Sequence, residues 1–115
     1  INSNNDMRIN REEMFAPLTA VIQVDSYCEA LTTLNDTNFG LTAGIMTQNL
    51  ARATHFRRNA KSGCVMVNLA TAGTDYHVPF GGRGDSSYGP REQGSYASEF
   101  YTVVKTAYIS SGTPM

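Results

Sequence analysis

Three short apolar segments that alternate with two amphipathic helical patterns constrain the fold of this chain more than any other feature. The apolar segments run from Leu18 to Val24, from Leu41 to Met46 and from Cys64 to Val67. Short β-prone runs separated by helices predict parallel strands that are joined by right-handed crossovers. We therefore expect an α/β fold with a βαβαβ order, in which Leu18 to Val24 forms a strand buried on both faces.

The first helix is predicted by a capping box. Ser26 and Glu29 have the spacing at which two side chains can satisfy free backbone amides at a helix start. The residues that follow place one apolar face at helical spacing, formed by Tyr27, Ala30, Leu31 and Leu34. This pattern is the strongest helix signal in the sequence.

A second helix is predicted from about Asn49 to Lys61, ahead of Gly63. Its apolar residues also recur at helical spacing, at Leu50, Ala53, Phe56 and Ala60. Basic residues, Arg57, Arg58 and Lys61, are concentrated in its C-terminal half, where cations suit the helix dipole. They could contact phosphate, but a solvated helix face is the favoured interpretation.

The region after the third apolar segment is rich in glycine. Seven of the ten glycines fall between Gly63 and Gly94, and hydrophobic periodicity is absent from Asn68 to Gly89. A loop of this length is usually functional or disordered. A third short helix is predicted to begin at Pro90 and to end near Glu99. The final β-prone run, from Phe100 to Ile109, requires a sheet edge that it can join.

Size and charge exclude several classes of partner. The chain has 115 residues and a formal net charge of -1, which gives no broad attraction to nucleic acid or to anionic lipid. No run approaches the roughly 18 apolar residues of a membrane span, and no signal peptide is recognisable. Two cysteines cannot form a dense disulfide framework. We expect one small globular domain or part of a larger one, with a cytoplasmic location and no nucleic-acid or membrane partner.

The residue types that usually perform chemistry do not form a recognisable motif on their own. Cys28 is expected on a helix whose apolar face surrounds it, and Cys64 opens a buried strand, so neither is a convincing nucleophile. His55 and His77 lack metal-ligand spacing. Residues 81–84 resemble a phosphate-binding loop only superficially, because no strand and helix flank them at the required spacing. The residues alone therefore predict no catalytic centre and no metal site.

Short motifs in a fixed order do, however, cover almost the whole chain. They are Glu12-Glu13-Met14-Phe15-Ala16-Pro17, Asn35-Asp36-Thr37-Asn38-Phe39-Gly40-Leu41, Val67-Asn68, Pro79-Phe80-Gly81-Gly82 and Tyr101-Thr102-Val103-Val104-Lys105-Thr106. Their order and spacing resemble the C-terminal part of the NAD(P)-dependent aldehyde dehydrogenase superfamily from about Asp6 to Ile109. The resemblance implies that residues 1–100 belong to a three-layer α/β catalytic domain, and that residues 101–115 form an oligomerisation arm strand and tail.

The resemblance also implies roles for five residues. Glu13 corresponds to a ribose-binding glutamate, and one carboxylate can indeed accept hydrogen bonds from two vicinal hydroxyls. Phe15 corresponds to an aromatic residue near the nicotinamide, and Phe80 to one near the aldehyde pocket. Tyr76 and His77 lie in the variable segment that lines the substrate tunnel. Without the resemblance, a solvated carboxylate and a core aromatic would be the favoured interpretations of Glu13 and Phe15.

The glycine-rich region suggests a substrate branch. Its sequences from Thr71 to Phe80 and from Ser86 to Gly94 resemble the enzymes that oxidise 2-oxoglutarate semialdehyde (2,5-dioxopentanoate), although Gly84 stands where that branch commonly has lysine. Ala16 likewise replaces the family's usual glycine. We expect NAD or NADP as cofactor, a small aldehyde as substrate, and a homo-oligomer that associates through Tyr101 to Ile109.

The family's nucleophilic cysteine and nucleotide-binding half have no counterpart in this sequence. We therefore expect a C-terminal portion of an enzyme that is inactive by itself. The alternative is a stand-alone small α/β module for binding or assembly, which keeps the architecture without catalysis.

Overall fold

A computed structural model describes residues 3–112 of the chain. In chain order the elements are α1 (Arg8–Arg11), α2 (Tyr27–Asn35), β1 (Thr42–Ile45), α3 (Leu50–Asn59), β2 (Cys64–Val67) and α4 (Ala97–Tyr101), with 3-10 turns at Gly84–Ser86 and Gly94–Tyr96. Two of the three predicted strands and both of the main predicted helices are confirmed.

The two strands form a parallel pair, as expected for a β-α-β crossover. Thr42 lies opposite Cys64 and Ile45 lies opposite Val67, with α3 in the connection. Within residues 3–112 the sheet therefore has two strands. The α/β class is consistent with this arrangement, and the predicted third strand is missing from it.

The predicted strand from Leu18 to Val24 is wrong. Among pairings within residues 3–112, this segment forms a single bridge, between Ile22 and Ser3, and Val21 is 70% exposed. Apolar, β-branched composition favours an extended backbone, but a strand also needs a neighbour to which its amides and carbonyls can bond. No other described strand runs beside this segment.

Side chains cap α2 and α3 at the positions that the sequence indicates. The Ser26 Oγ accepts a hydrogen bond from the Glu29 amide at 3.1 Å, and the Glu29 carboxylate accepts one from the Asp25 amide at 2.9 Å. The carboxylate thus reaches one residue further back than a standard capping box. At α3, the Asn49 Oδ1 accepts from the Arg52 amide at 3.0 Å.

The third predicted helix does not begin at Pro90. Glu92 instead forms an antiparallel bridge with Phe80, in which each amide donates to the other residue's carbonyl at 2.8 and 2.9 Å. Helical structure starts only at Gly94, first as a 3-10 turn and then as α4. The local signal of a proline followed by a glutamate is overridden here by a long-range backbone pair.

Little of the chain is buried. The buried hydrophobic residues among those described are Ala43, Phe56 and Ala60, against which Leu31, Leu34 and other apolar side chains pack. The radius of gyration is 20.3 Å, whereas a compact domain of this length would have about 13 Å. Most large apolar side chains of the described residues are exposed, as expected for part of a larger domain.

The β-prone run near the C-terminus is not a strand in this structure. Phe100 and Tyr101 belong to α4, and residues 102–110 are exposed and have no regular secondary structure.

Candidate functional site

The start of β1 holds two separate parts of the chain together through Gly40. The Gly40 carbonyl accepts hydrogen bonds from the amides of Gly63 and Arg83, both at 2.9 Å. Its own amide donates to the Ser86 Oγ at 2.9 Å. The turn at 83–86 is thereby fixed against the beginning of both strands.

Gly84 has a geometric reason to be glycine. Its φ is +56°, and an added Cβ would lie 2.1 Å from the carbonyl oxygen of Asn38. The same carbonyl accepts a hydrogen bond from the Asp85 amide at 2.9 Å. A lysine at position 84 is therefore incompatible with this turn as it stands.

The segment that carries Phe80 is held from both sides. Phe80 pairs with Glu92 through two backbone hydrogen bonds, while the Gly82 amide donates to the Ser87 Oγ at 2.6 Å. The guanidinium of Arg91 donates to the Gly82 carbonyl at 3.1 Å. Phe80 itself is half-buried. Its position is therefore determined by the surrounding backbone and not by deep packing of the ring.

Tyr76 and His77 lie on the same loop and face outward. Tyr76 is 85% exposed, and its ring makes an edge-to-face contact with the His77 ring at 5.5 Å between centroids. The Tyr76 carbonyl accepts from the Gly94 amide at 3.2 Å. The structure therefore brings this loop and the segment after Pro90 together.

Glu13 lines a cleft of about 430 Å³ between the N-terminal segment and the start of β1. Thr37, Phe39, Asp85 and Ser86 are among the other lining residues. Of the five candidate site residues, Glu13 is the one that lines this cleft. Phe15, Tyr76, His77 and Phe80 lie outside its lining.

The two adjacent carboxylates at 12 and 13 differ in their surroundings. Arg8 donates two hydrogen bonds to Glu12, at 2.9 and 2.8 Å, and this contact lowers the pKa of the Glu12 carboxyl. Residues 3–112 offer the Glu13 side chain no comparable hydrogen bond or salt bridge. Glu13 is thus the carboxylate that is available to accept hydrogen bonds from a ligand.

Phe15 projects into solvent, with 96% of its surface exposed. Ala16, next to it, does not need the conformational freedom of glycine, because Asn68 and Gln93 are the non-glycine residues with positive φ between residues 3 and 112. The exposed Phe15 ring, two residues after Glu13, can pack against a flat ligand. A core role for Phe15 is excluded within this chain.

Neither cysteine lies in a catalytic arrangement. The Cys28 thiol is exposed, so the expectation that an apolar helix face surrounds it is wrong. Cys64 is half-buried in β2, with its Sγ 3.7 Å from the Gly81 carbonyl oxygen. His55 bonds through Nδ1 to the Tyr27 hydroxyl at 2.8 Å.

Two further findings concern ions and membranes. In the part of the chain that the structure describes, no group of three or more acidic, histidine or cysteine side chains is arranged to hold a metal ion. Across residues 3–112 no helix has both the length and the apolar character that crossing a bilayer requires.

Sequence reasoning missed three residues that organise this region. Asn68 adopts φ +56° directly after β2, and Gln93 adopts φ +66° before the turn at Gly94. Asp36 binds the N-terminal segment through Arg11. Asparagine is enriched at positive φ, so the Asn68 conformation had a detectable signal. Glutamine is not among the residues enriched at positive φ, so Gln93 gave no such signal. The contact of Asp36 joins residues that are 25 positions apart in the sequence.

Comparison with known proteins identifies relatives over most of the chain. The model of the aldehyde dehydrogenase family matches residues 1–107. An alpha-ketoglutaric semialdehyde dehydrogenase of Bacillus subtilis is 43% identical over 108 residues, which are 94% of this chain and 22% of that protein. An alpha-ketoglutarate semialdehyde dehydrogenase of Haloferax volcanii is 45% identical over 91% of this chain and 22% of its own length.

Solved structures show the same relationship. A mutant indole-3-acetaldehyde dehydrogenase of P. syringae in complex with NAD⁺ and IAA superimposes with a TM-score of 0.83 at 38% identity, over 93% of this chain and 21% of that one. A betaine aldehyde dehydrogenase of Staphylococcus aureus gives a TM-score of 0.82 at 31% identity, over 90% and 20%. The chain thus spans about a fifth of the length of the relatives that it matches.

Proposed function

Because this chain belongs to the aldehyde dehydrogenase family, we propose that it supplies one wall of the nicotinamide-ribose and aldehyde sites of an enzyme that oxidises an aldehyde or semialdehyde to a carboxylate. NAD or NADP would accept the hydride. The observation that carries this proposal is the free Glu13 carboxylate at its cleft, with the exposed Phe15 ring two residues further along the chain.

Glu13 fits the role of a ribose ligand on chemical grounds. Its neighbour Glu12 is already engaged by Arg8, whereas Glu13 faces a cleft and has no competing partner in the described chain. A free carboxylate can accept hydrogen bonds from both hydroxyls of a ribose. Phe15 offers an apolar face next to it, which suits the flat nicotinamide ring.

Phe80, Tyr76 and His77 are proposed to line the aldehyde site. The bridge from Phe80 to Glu92 holds the Phe80 backbone, and the bond from Gly94 to Tyr76 holds the other end of the loop. Side chains on a fixed backbone but with free surfaces can select a substrate by shape. The exposed Tyr76 and His77 rings are available for that purpose.

2-Oxoglutarate semialdehyde is the proposed substrate. Its support is the likeness of the glycine-rich region to that branch and the names of the two relatives that are 43% and 45% identical. Gly84 differs from the lysine that is common there, and its backbone conformation explains why this chain has glycine.

Several architectural points belong to the same proposal. Residues 1–100 would form part of a three-layer catalytic domain, and residues 101–115 the oligomerisation arm strand and tail, with association through Tyr101 to Ile109. The chain alone would be inactive, because it spans about a fifth of the relatives' length. A cytoplasmic location is proposed from the low cysteine content.

A stand-alone binding module is the less favoured function. Such a module would need a core of its own, and the buried hydrophobic residues among those described are three: Ala43, Phe56 and Ala60. The radius of gyration of 20.3 Å in a chain of 115 residues also argues against a compact module that folds by itself.

A chimeric enzyme tests the proposal. In this chimera, the chain replaces the matching 108 residues of the Bacillus subtilis relative. We expect oxidation of 2-oxoglutarate semialdehyde with NAD or NADP to be retained, and the isolated 115-residue chain to show no turnover. A control chimera carries the same graft in the Agrobacterium fabrum betaine aldehyde dehydrogenase, which is 38% identical.

The outcomes separate function from substrate choice. A folded chimera that oxidises neither semialdehydes nor betaine aldehyde contradicts the proposed function. A folded Bacillus chimera that oxidises betaine aldehyde but not 2-oxoglutarate semialdehyde contradicts only the proposed substrate. Turnover by the isolated chain contradicts its proposed dependence on the remainder of the catalytic domain.

A further inference from the structure

The segment that leads to Glu13 is tied to the C-terminal end of α2 at Asp36. The Nη2 of Arg11 donates to the Oδ2 of Asp36 at 2.7 Å, and its Nη1 donates to the Asp36 carbonyl oxygen at 2.6 Å. The side-chain amide of Asn5 donates to the same Oδ2 at 2.8 Å. One residue thus accepts hydrogen bonds from two parts of the N-terminal segment.

Asp36 is suited to this role by its position. It is the C-terminal cap of α2, where carbonyl groups lack partners within the helix. Arg11 satisfies such a carbonyl and neutralises the carboxylate at the same time. A guanidinium that makes two directed hydrogen bonds fixes orientation as well as distance, which a lysine cannot do equally well.

Other contacts of the segment do not replace this one. Arg8 bonds to Glu12 within the segment itself. The other described links of residues 3–11 lead to the stretch at 19–22: Ser3 forms a bridge with Ile22, and Met7 and Ile9 line a small cavity together with residues 19–21. Ile22 lies in a stretch that has no regular secondary structure, so Asp36 is the attachment to a rigid element.

The same contact joins the two chain segments that contribute Glu13 and Thr37 to the cleft. Arg11 is two residues before Glu13, and Asp36 is one residue before Thr37. Glu13 and Thr37 line the same cleft. The hydrogen bonds between Arg11 and Asp36 therefore fix the separation between the two walls on which Glu13 and Thr37 lie.

We propose that Asp36 is a positioning residue for cofactor binding, which acts through Arg11 to hold the Glu13 carboxylate at the cleft. This inference rests on the proposed ribose-binding role of Glu13. In this positioning role, Asp36 contacts neither the cofactor nor the substrate. Its contribution is to reduce the conformational freedom that Glu13 must lose when the ribose binds.

The experiment compares Arg11→Ala, Asp36→Ala and the double variant in the chimeric enzyme. Each is expected to raise the KM for the nicotinamide cofactor by about threefold to tenfold, with kcat and the KM for the aldehyde nearly unchanged. The double variant should raise this KM by less than the two single effects combined, because both single variants remove the hydrogen bond between the Arg11 guanidinium and the Asp36 carboxylate. Arg11→Ala also removes the bond to the Asp36 carbonyl, and Asp36→Ala also removes the bond from Asn5. Arg11→Lys should give an intermediate KM.

Arg8→Ala is the matched control. It also breaks a pair of guanidinium hydrogen bonds, at 2.9 and 2.8 Å, but that pair lies within the N-terminal segment and does not reach α2. It should leave the cofactor KM unchanged. Thermal unfolding is measured for every variant, so that a general loss of structure can be recognised.

Failure of this inference differs from failure of the proposed function. If Glu13→Gln leaves the cofactor KM unchanged, the ribose role itself is wrong. If Glu13→Gln raises it while Arg11→Ala and Asp36→Ala do not, the positioning role is wrong. Additive effects of the two single variants, or parallel changes in both KM values and in the melting temperature, also overturn the positioning role.

Discussion

The side-chain amide of Asn68 pairs with both backbone groups of Thr47. Its Oδ1 accepts from the Thr47 amide at 2.8 Å, and its Nδ2 donates to the Thr47 carbonyl at 2.9 Å. Asn68 follows β2 directly, and its own amide donates to the Ile45 carbonyl at 2.8 Å. The side chain therefore continues the parallel ladder beyond the last residues of the two strands.

Replacing Asn68 tests how much this pairing stabilises the strand ends. Asn68→Ala removes the amide and introduces a residue that tolerates φ +56° poorly, whereas Asn68→Gly removes the amide but accepts that conformation. We expect a loss of about 1 kcal/mol for Asn68→Gly and a larger loss for Asn68→Ala. Chemical denaturation of the chimera measures both.

Asn38→Ala is the control for this series. Its side chain is exposed and makes no hydrogen bond in the described chain, so its stability should match that of the parent. Equal stability of Asn68→Gly and the parent would show that the pairing with Thr47 contributes nothing.

Gln93 is expected to be a site where a glycine stabilises the protein. Its φ of +66° and ψ of +166° lie in a region that essentially only glycine adopts, and its Oε1 is buried without a partner in the described chain. Gln93→Gly should raise the free energy of unfolding by about 1 kcal/mol. Gln48→Gly, at a residue with ordinary φ, should lower it. If the melting temperature falls for both variants, the backbone at Gln93 is not strained and the prediction is wrong.

The adjacent carboxylates at 12 and 13 should respond differently to neutralisation. Glu13→Gln is expected to raise the cofactor KM of the chimera by about tenfold, because a carboxylate makes stronger hydrogen bonds to hydroxyls than an amide does. Glu12→Gln, which loses only the contact with Arg8, should leave this KM unchanged. Steady-state kinetics with varied cofactor measures both, and the reverse order of effects would assign the ribose to Glu12.

Asp36 should show an acid-shifted titration. The hydrogen bond and the charge of Arg11 lower the pKa of its carboxyl. Stability from this contact is therefore fully present above about pH 4 and is lost as the pH falls through the lowered pKa. Carbon NMR of the Asp36 carboxyl should show a lower midpoint in the parent chain than in Arg11→Ala, with Arg8→Ala matching the parent. If the titration midpoint of Asp36 is the same in the parent and in Arg11→Ala, then Arg11 and Asp36 do not interact in solution.

The C-terminal segment should mediate association of the chimera. Val104 and Tyr108 are more than nine-tenths exposed, and the backbone around them is extended and unpaired. Strand addition requires backbone amides that point to the partner, and neighbouring residues point theirs to opposite sides. Val103→Pro and Val104→Pro should therefore differ, with one of them weakening association far more than the other.

Light scattering after gel filtration measures this association. Ser111→Pro, outside Tyr101 to Ile109, is the control and should associate like the parent. A parent chimera that is monomeric at high concentration, or two proline variants that associate normally, would contradict the role of this segment.

The helices α2 and α3 and the strands β1 and β2 could be predicted because their signals are local. The Ser26 cap, the Asn49 cap and the apolar spacing of α2 lie within a few residues of the bonds that they explain. The five candidate site residues, in contrast, came from the resemblance to a family and not from spacing. Arg8 and Glu12 have the i,i+4 spacing of a helical ion pair, but the short helix α1 that makes this spacing effective was not predicted.

The sequence by itself determined where α2 and α3 begin, because hydrogen bonds within a turn or helix depend on near neighbours. Its ordered motifs also indicated the family. Only the tertiary structure decided that Leu18 to Val24 forms no strand beyond the bridge at Ile22, that Glu92 pairs with Phe80, and that Arg11 reaches Asp36. Each of these depends on two distant segments meeting. The free energy of such a contact is set by the geometry of both partners, which no short stretch of sequence contains.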